Sequence, residues 1–159
     1  MSIPEQKNES KIVVFSLDEP RCALLLSAVQ RVIRAVEITP LPKTPEIVLG
    51  VINLQGLIIP VVDVRKRFHL PAREMRLDDQ FIIAHASRWL VALAVDSVIG
   101  IRELANREMV NAGQSLPFAE YLKGVAKIEG DIVLIYDLSK FLSLDEERLL
   151  DAAVPGVAG

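Results

Sequence analysis

The sequence predicts an all-β fold with short helices, arranged as two similar small β-barrels. Three observations support this prediction. Short apolar runs rich in β-branched residues recur between turn signals, which is typical of barrels built from many strands. No helical period of the hydrophobic residues persists for long, which argues against alternating strands and helices. Finally, one segment of the chain occurs twice, and a repeat usually reflects a repeated structural unit.

A hairpin-like unit opens each half of the chain. Each unit consists of two apolar strands joined by a short polar turn, the pattern of a β-hairpin. Both units are followed by a Val-Ile pair, Val32–Ile33 and Val98–Ile99, at slightly different spacings. The first unit comprises Ile12–Leu17, the turn Asp18–Arg21 and Cys22–Leu26, and the second comprises Phe81–Ala86, the turn Ser87–Arg88 and Trp89–Val95.

The repeat itself joins a second hairpin to a short helix. Residues Gly50 to Phe68, GVINLQGLIIPVVDVRKRF, align with Gly124 to Leu142, GVAKIEGDIVLIYDLSKFL, at a constant offset of 74 residues. In each copy a strand ends at a turn that contains Gly56 or Gly130, because glycine adopts positive φ without steric cost. A β-branched return strand follows each turn. The offset therefore predicts the same hairpin in both halves.

An aspartate follows each return strand and is predicted to cap the next helix. Asp63 precedes a predicted helix Val64–Leu70, and Asp137 precedes a shorter one at Leu138–Leu142. An aspartate at this position accepts hydrogen bonds from the first N–H groups of a helix, so we interpret both residues as caps. A terminal helix is predicted at Asp145–Ala153, where acidic residues in the first turn complement the helix dipole.

The domain organisation follows from the repeat. We predict a single domain over residues 11–153, with a first barrel at 11–75, a second barrel at 79–144 and possible exchange of strands between them. The charged segment Pro71–Asp79 is the predicted seam. Residues 1–10 and 155–159 are predicted to be flexible.

The composition argues against catalysis and against a bound cofactor. The chain has 159 residues, 51% of them hydrophobic, with two histidines, one cysteine and a formal net charge of −3. The sequence contains no nucleophile elbow, glycine-rich phosphate loop or zinc-binding HExxH motif. No metal, cofactor or disulfide is expected. The longest uncharged stretch, Ile47 to Val62, is interrupted by polar residues, glycine and proline, so we expect a cytoplasmic protein without membrane insertion.

The one basic cluster, Arg65–Arg67, leaves an alternative function open. With Phe68 beside it, this cluster would suit a barrel that binds single-stranded nucleic acid. The simpler interpretation is a solvated helix face whose cations complement the C-terminal dipole. A barrel that binds a small molecule is a third possibility, and it would require a deep internal cavity.

Two segments resemble the CheW family of chemotaxis coupling proteins. They are LSAVQRVIRAVEITPLPKTPEIVLGVINLQGLIIPVVDVRKRF, from Leu26 to Phe68, and YLKGVAKIEGDIVLIYDLSKFL, from Tyr121 to Leu142. The resemblance implies two five-stranded barrels around a shared apolar core. It also implies a non-enzymatic cytoplasmic adaptor, which binds the regulatory domain of a CheA-type histidine kinase and the signalling tip of a methyl-accepting chemoreceptor. Nucleic acid is then not expected as a partner.

The resemblance also suggests which residues contact partners. The chain departs from the family pattern at two of them, with Gln55 where Arg is common and Arg31 where Glu is common. Because charges at an interface rim select partners, these departures predict altered partner specificity. The positions carried over are Gly50, Val51 and Ile52 for the kinase and Val29, Arg31 and Gln55 for the receptor, with Gly56, Asp63, Gly130 and Asp137 as turns and caps.

Overall fold

The computed structural model describes residues 11–18, 21–110 and 119–154. Within these ranges the chain forms eleven strands in two sheets, with a few short helices and one C-terminal helix. The prediction of an all-β fold with short helices is therefore confirmed. The predicted flexible ends, residues 1–10 and 155–159, lie outside the described residues.

The strands follow the predicted hairpins closely. They are β1 (Lys11–Ser16), β2 (Arg21–Leu25), β3 (Val29–Arg34), β4 (Val48–Leu54), β5 (Leu57–Val62), β6 (Gln80–Ala86), β7 (Trp89–Val95), β8 (Ser97–Glu103), β9 (Met109–Val110), β10 (Leu122–Ile128) and β11 (Asp131–Tyr136). The α-helices are α1 (Val64–Arg67) and α2 (Leu144–Ala153), and 3-10 turns lie at Leu26–Ala28, Asn106–Glu108, Ala119–Tyr121 and Leu138–Lys140.

The two sheets exchange hairpins between the two halves of the sequence. One sheet has the order β8-β1-β2-β11-β10-β9, and the other has the order β3-β6-β7-β5-β4. The β1–β2 hairpin thus lies among strands of the second half, and the β6–β7 hairpin lies among strands of the first half. Each exchanged hairpin is joined by one parallel pairing, β2 with β11 and β7 with β5. The six-stranded sheet exceeds the expected five strands by the two-residue strand β9.

The repeated hairpins have the same backbone in both halves. The turn residues Gln55 and Gly56 have φ of 53° and 87°, and Glu129 and Gly130 have φ of 51° and 85°. Positive φ at both central residues is the turn that matches the twist of a two-residue hairpin. Both hairpins also carry a β-bulge at the same point, one residue before Gly50 and one before Gly124. The offset of 74 residues therefore holds in three dimensions.

The two aspartates cap the segments that follow the hairpins. The Asp63 side chain accepts a hydrogen bond from Lys66 N at 3.2 Å, and Asp137 accepts one from Ser139 N at 3.0 Å. Helix α1 ends at Arg67, before the predicted Leu70, because His69 adopts a left-handed φ of 55° that a helix cannot accommodate. The predicted helix at Leu138–Leu142 is a single 3-10 turn, Leu138–Lys140.

Buried side chains form three apolar clusters. The largest lies between the sheets and includes Trp89, Phe15, Phe68 and Phe141, while a smaller cluster lies against each sheet. Phe68 stacks on Tyr136 with ring centroids 3.9 Å apart, so the end of α1 packs directly on the second half. The shared apolar core that the resemblance implied is the cluster between the sheets.

Candidate partner-binding surfaces

The basic cluster Arg65–Arg67 is not an exposed cationic surface. Arg65 is 7% exposed, and its guanidinium donates to both carboxylate oxygens of Asp18 at 2.6 and 2.9 Å and to Asp96 at 2.7 Å. Arg67 donates to the Tyr121 hydroxyl at 3.0 Å and to Glu146 at 2.5 Å. Only Lys66 of the three is exposed. The interpretation as a solvated helix face is therefore wrong, and the nucleic-acid alternative has no support, because two of its three cations are neutralised within the chain.

The ion pairs of Arg65 belong to a network that holds the seam segment Pro71–Asp79. Arg73 on that segment donates to Asp79 at 2.9 Å and to Asp96 at 2.5 Å. The hydrogen bonds from Arg65 lower the pKa of Asp18. Burial raises the pKa of Asp96, but its hydrogen bonds from the Asp18 N–H, Arg65 and Arg73 outweigh that effect and lower it. The network thus favours ionised carboxylates and links the turns after β1 and β7 to α1.

The three residues carried over for the kinase lie in the interior. Gly50, Val51 and Ile52 are buried on β4, which is an edge strand of the five-stranded sheet. A Cβ atom on Gly50 would lie 2.4 Å from the carbonyl oxygen of Thr39. Thr39 pairs with Val51 through two backbone hydrogen bonds of 2.8 and 2.9 Å. These residues therefore fix the position of β4 and present no side chain to a partner.

The residues carried over for the receptor lie partly together on the surface. Arg31 on β3 and Gln55 in the β4–β5 turn are both exposed, and the Arg31 Nη2 atom lies 3.5 Å from Gln55 Oε1. Strands β3 and β4 are the two edge strands of the five-stranded sheet. The contact therefore shows that one edge strand lies close to the turn that follows the other. We call the surface of Arg31, Gln55 and the exposed Leu57 the arginine mouth. Val29 is half-buried and packs on the cluster between the sheets.

A second exposed surface, on the six-stranded sheet, was missed by sequence reasoning. Ile99 and Ile101 on β8 and Ile132 on β11 are 50%, 63% and 53% exposed. Ile99 and Ile101 line a groove of about 230 Å³, and we call these two residues the isoleucine face. Ile132 is separated from β8 by strands β1 and β2 and does not line that groove. Isolated exposed hydrophobic residues are common, but neighbouring ones that line a groove beside charged residues, as Ile99 and Ile101 do, are typical of protein interfaces. The signal in the sequence was SVIGIRE, in which two isoleucines occupy alternate positions of one strand and so share a face.

Charged pairs surround the isoleucine face. The Arg102 guanidinium lies 3.1 Å from a Glu108 carboxylate oxygen and 3.3 Å from one of Glu129, and Arg21 lies 3.9 Å from Asp131. The rim is therefore polar and internally neutralised, which leaves the apolar residues as the feature that a partner can bind.

The described part of the chain contains no metal-binding cluster and no helix that could cross a membrane, and its cysteine is buried. Residues 11–18, 21–110 and 119–154 contain no group of three His, Cys, Asp or Glu side chains placed to hold a metal ion. Burial raises the pKa of the Cys22 thiol to about 12. In the same ranges, every helix is too short or too polar to cross a membrane.

Comparisons with known proteins match most of the chain. The family model described as the CheW-like domain matches residues 11–146. The chemotaxis protein CheW of Bacillus subtilis is 30% identical over 159 residues, covering 97% of this chain and 98% of that protein. The chemotaxis protein CheW of Thermotoga maritima is 29% identical over 141 residues, covering 89% and 93% respectively.

A solved structure gives the same result. The crystal structure of the scaffolding protein TtCheW from Thermoanaerobacter tengcongensis aligns with a TM-score of 0.78 and 32% sequence identity, covering 87% of this chain and 90% of that chain. The family match spans the repeat, both sheets and the beginning of α2. From this agreement in sequence and fold, the chain belongs to the CheW family of chemotaxis coupling proteins.

Proposed function

We propose that this chain is a chemotaxis adaptor that joins a CheA-type histidine kinase to chemoreceptors in the cytoplasm, and that it acts by binding and not by catalysis. Membership of the CheW family supports this proposal. The observation that carries it is the presence of two different exposed surfaces on two different sheets, one apolar and one cationic. An adaptor needs separate surfaces because it must hold two partners at once.

The isoleucine face is the proposed contact for the regulatory domain of the kinase. Its two isoleucines would bury apolar area, and its polar rim would exclude water around them. Gly50, Val51 and Ile52 then affect kinase coupling indirectly. Because they hold β4 in place, a side chain at Gly50 would disturb the sheet and not an interface.

The arginine mouth is the proposed contact for the signalling tip of a chemoreceptor. It contains Arg31 and Gln55, the two departures from the family pattern, within 3.5 Å of each other. The two departures therefore change a single surface, which supports the proposal of altered partner specificity. Val29 would support the adjacent strand from the interior.

The test is a binding assay with the kinase regulatory domain and the receptor signalling tip of the same organism. Wild-type protein should bind each fragment and should form a ternary complex with both. Ile101→Lys should weaken kinase binding by more than about tenfold, because it places a charge within the proposed apolar contact. Receptor binding should not change.

Leu77→Lys is the matched control. Leu77 is 95% exposed on the seam segment, outside both surfaces, so the same change should leave both affinities unaltered. If the wild-type protein failed to bind either one of the two fragments, the adaptor proposal would fail. If Ile101→Lys bound the kinase like wild type, the kinase contact would have to lie elsewhere.

A further inference from the structure

We propose that Arg31 binds a carboxylate of the receptor signalling tip. In the second half of the chain, the equivalent position beside an arginine is occupied by a carboxylate of the chain's own turn. The inference rests on the proposed adaptor function and deepens it, since it names the chemistry by which the arginine mouth selects a partner. The two halves of the molecule differ in charge at this turn.

In the second half, every acid of the turn has an arginine beside it. Glu129 occupies the left-handed turn position equivalent to Gln55, and Arg102 from the edge strand β8 lies 3.3 Å from it. Asp131, equivalent to Leu57, lies 3.9 Å from Arg21. This end of the six-stranded sheet is therefore neutralised within the chain.

In the first half, the arginine is present and the acids are absent. Arg31 extends from the edge strand β3 to the same turn position, but it meets the neutral amide of Gln55 at 3.5 Å, which is the outer limit of a hydrogen bond. Among the described residues, Arg31 forms no ion pair. An exposed guanidinium with one weak contact keeps most of its donors free for a carboxylate, which it can bind through two parallel hydrogen bonds.

The surroundings of Arg31 restrict the kind of partner further. Arg31 lies opposite Ile83 in the register of β3 and β6, on the sheet face whose interior contains Ile33. Leu57, which is 43% exposed, follows Gln55 by two residues. The arginine mouth thus suits an acidic side chain that lies beside an apolar one. Because the whole chain carries a net charge of −3, this cationic site is a local feature and not part of a general basic surface.

Two substitutions test the inference from opposite directions. Arg31→Gln removes the cation, and Gln55→Glu supplies an internal carboxylate that copies Glu129 and competes with the partner. The probe is the signalling-tip fragment of a chemoreceptor from the same organism. Each variant should weaken its binding by about tenfold at low salt, and the loss should shrink as salt screens the interaction. The melting temperature of Gln55→Glu should not fall, because it gains an ion pair.

Arg34→Gln is the matched control. Arg34 is also exposed on β3, but it lies on the opposite face of the strand and has no ion pair among the described residues, so its loss should leave affinity within about twofold of wild type.

The outcomes separate this inference from the adaptor proposal. If wild-type protein failed to bind the receptor fragment, the adaptor proposal would fail first. If wild type bound but either Arg31→Gln or Gln55→Glu kept the wild-type affinity, the carboxylate inference would be overturned. It would also be overturned if Arg34→Gln weakened binding as much, or if kinase binding alone responded to the two variants.

Discussion

Substitution of Gly50 by alanine should destabilise the protein through backbone packing. Gly50 has φ of 151°, a conformation that side chains with a Cβ rarely adopt. The added Cβ would lie 2.4 Å from the Thr39 carbonyl oxygen and 2.8 Å from Ile38 Cγ2. A backbone carbonyl cannot turn away as a flexible side chain can, so Thr39 has to move. That movement breaks its two hydrogen bonds with Val51.

The expected loss of stability has three contributions. The unfavourable φ costs about 1–3 kcal/mol, and overpacking against Ile38 costs about 1–3 kcal/mol. The two hydrogen bonds with Val51 contribute about 1 kcal/mol each. Because relaxation of the chain relieves part of this strain, we expect a decrease of about 3–6 kcal/mol in the free energy of unfolding.

Two other glycines allow the contributions to be separated. Gly100 has a similar φ of 158°, but no atom lies within 4 Å of its added Cβ, so Gly100→Ala should show the cost of the conformation alone. Gly124 is equivalent to Gly50 by the repeat, yet its Cβ would meet only the flexible end of Met109. Gly124→Ala should therefore stay within about 1 kcal/mol of wild type.

Urea unfolding followed by fluorescence measures all three variants. Trp89 is the one tryptophan of the chain and is fully buried, so its emission reports on the folded core. The reasoning would be refuted if Gly50→Ala were no less stable than Gly100→Ala. A second readout concerns function: under conditions where Gly50→Ala remains folded, it should still bind the kinase fragment.

The seam, the buried thiol and the C-terminal helix each give a further prediction. The folded-state pKa values of Asp18 and Asp96 are lowered, so their ionised forms stabilise the fold above about pH 4, and this stability is lost as the pH falls through those values. Wild type should therefore lose stability in acid. Arg65→Met should be less stable than wild type near neutral pH, and its stability should fall less as the pH is lowered. An equal pH dependence of the two proteins would contradict this reasoning. Cys22 should react with iodoacetamide only after unfolding, since burial raises its pKa to about 12; labelling of the native protein at mildly alkaline pH would be inconsistent with that burial. Ser143→Ala removes the capping box of α2 and should cost about 1 kcal/mol in urea unfolding, and an unchanged midpoint would mean that the cap is dispensable.

Local features of the fold were predictable because they depend on neighbouring residues. The turns at Gln55–Gly56 and Glu129–Gly130 follow from glycine between two β-branched runs, and the caps at Asp63 and Asp137 follow from the residue type at a helix start. Because the two halves repeat at a constant offset, each feature predicted in one half also predicts the equivalent feature in the other.

Features that depend on distant residues were not predictable in the same way. Arg65 reads as a surface cation because its partners, Asp18 and Asp96, lie 47 and 31 residues away in the sequence. The contact between Arg31 and Gln55 joins two edges of a sheet, and no local pattern encodes that closure. Strand β8 carries apolar residues on both faces, so the exposure of Ile101 is decided by its pairing with β1.

The reciprocal exchange of hairpins has a consequence for how the domain unfolds and for how binding stabilises it. Each sheet contains a hairpin from the opposite half of the sequence, so neither half of the sequence can form a complete sheet by itself. Unfolding should therefore be a single cooperative transition, and no partly folded form should keep one sheet alone. A partner bound to either sheet should therefore raise the free energy of unfolding of the whole domain, because the two sheets unfold together.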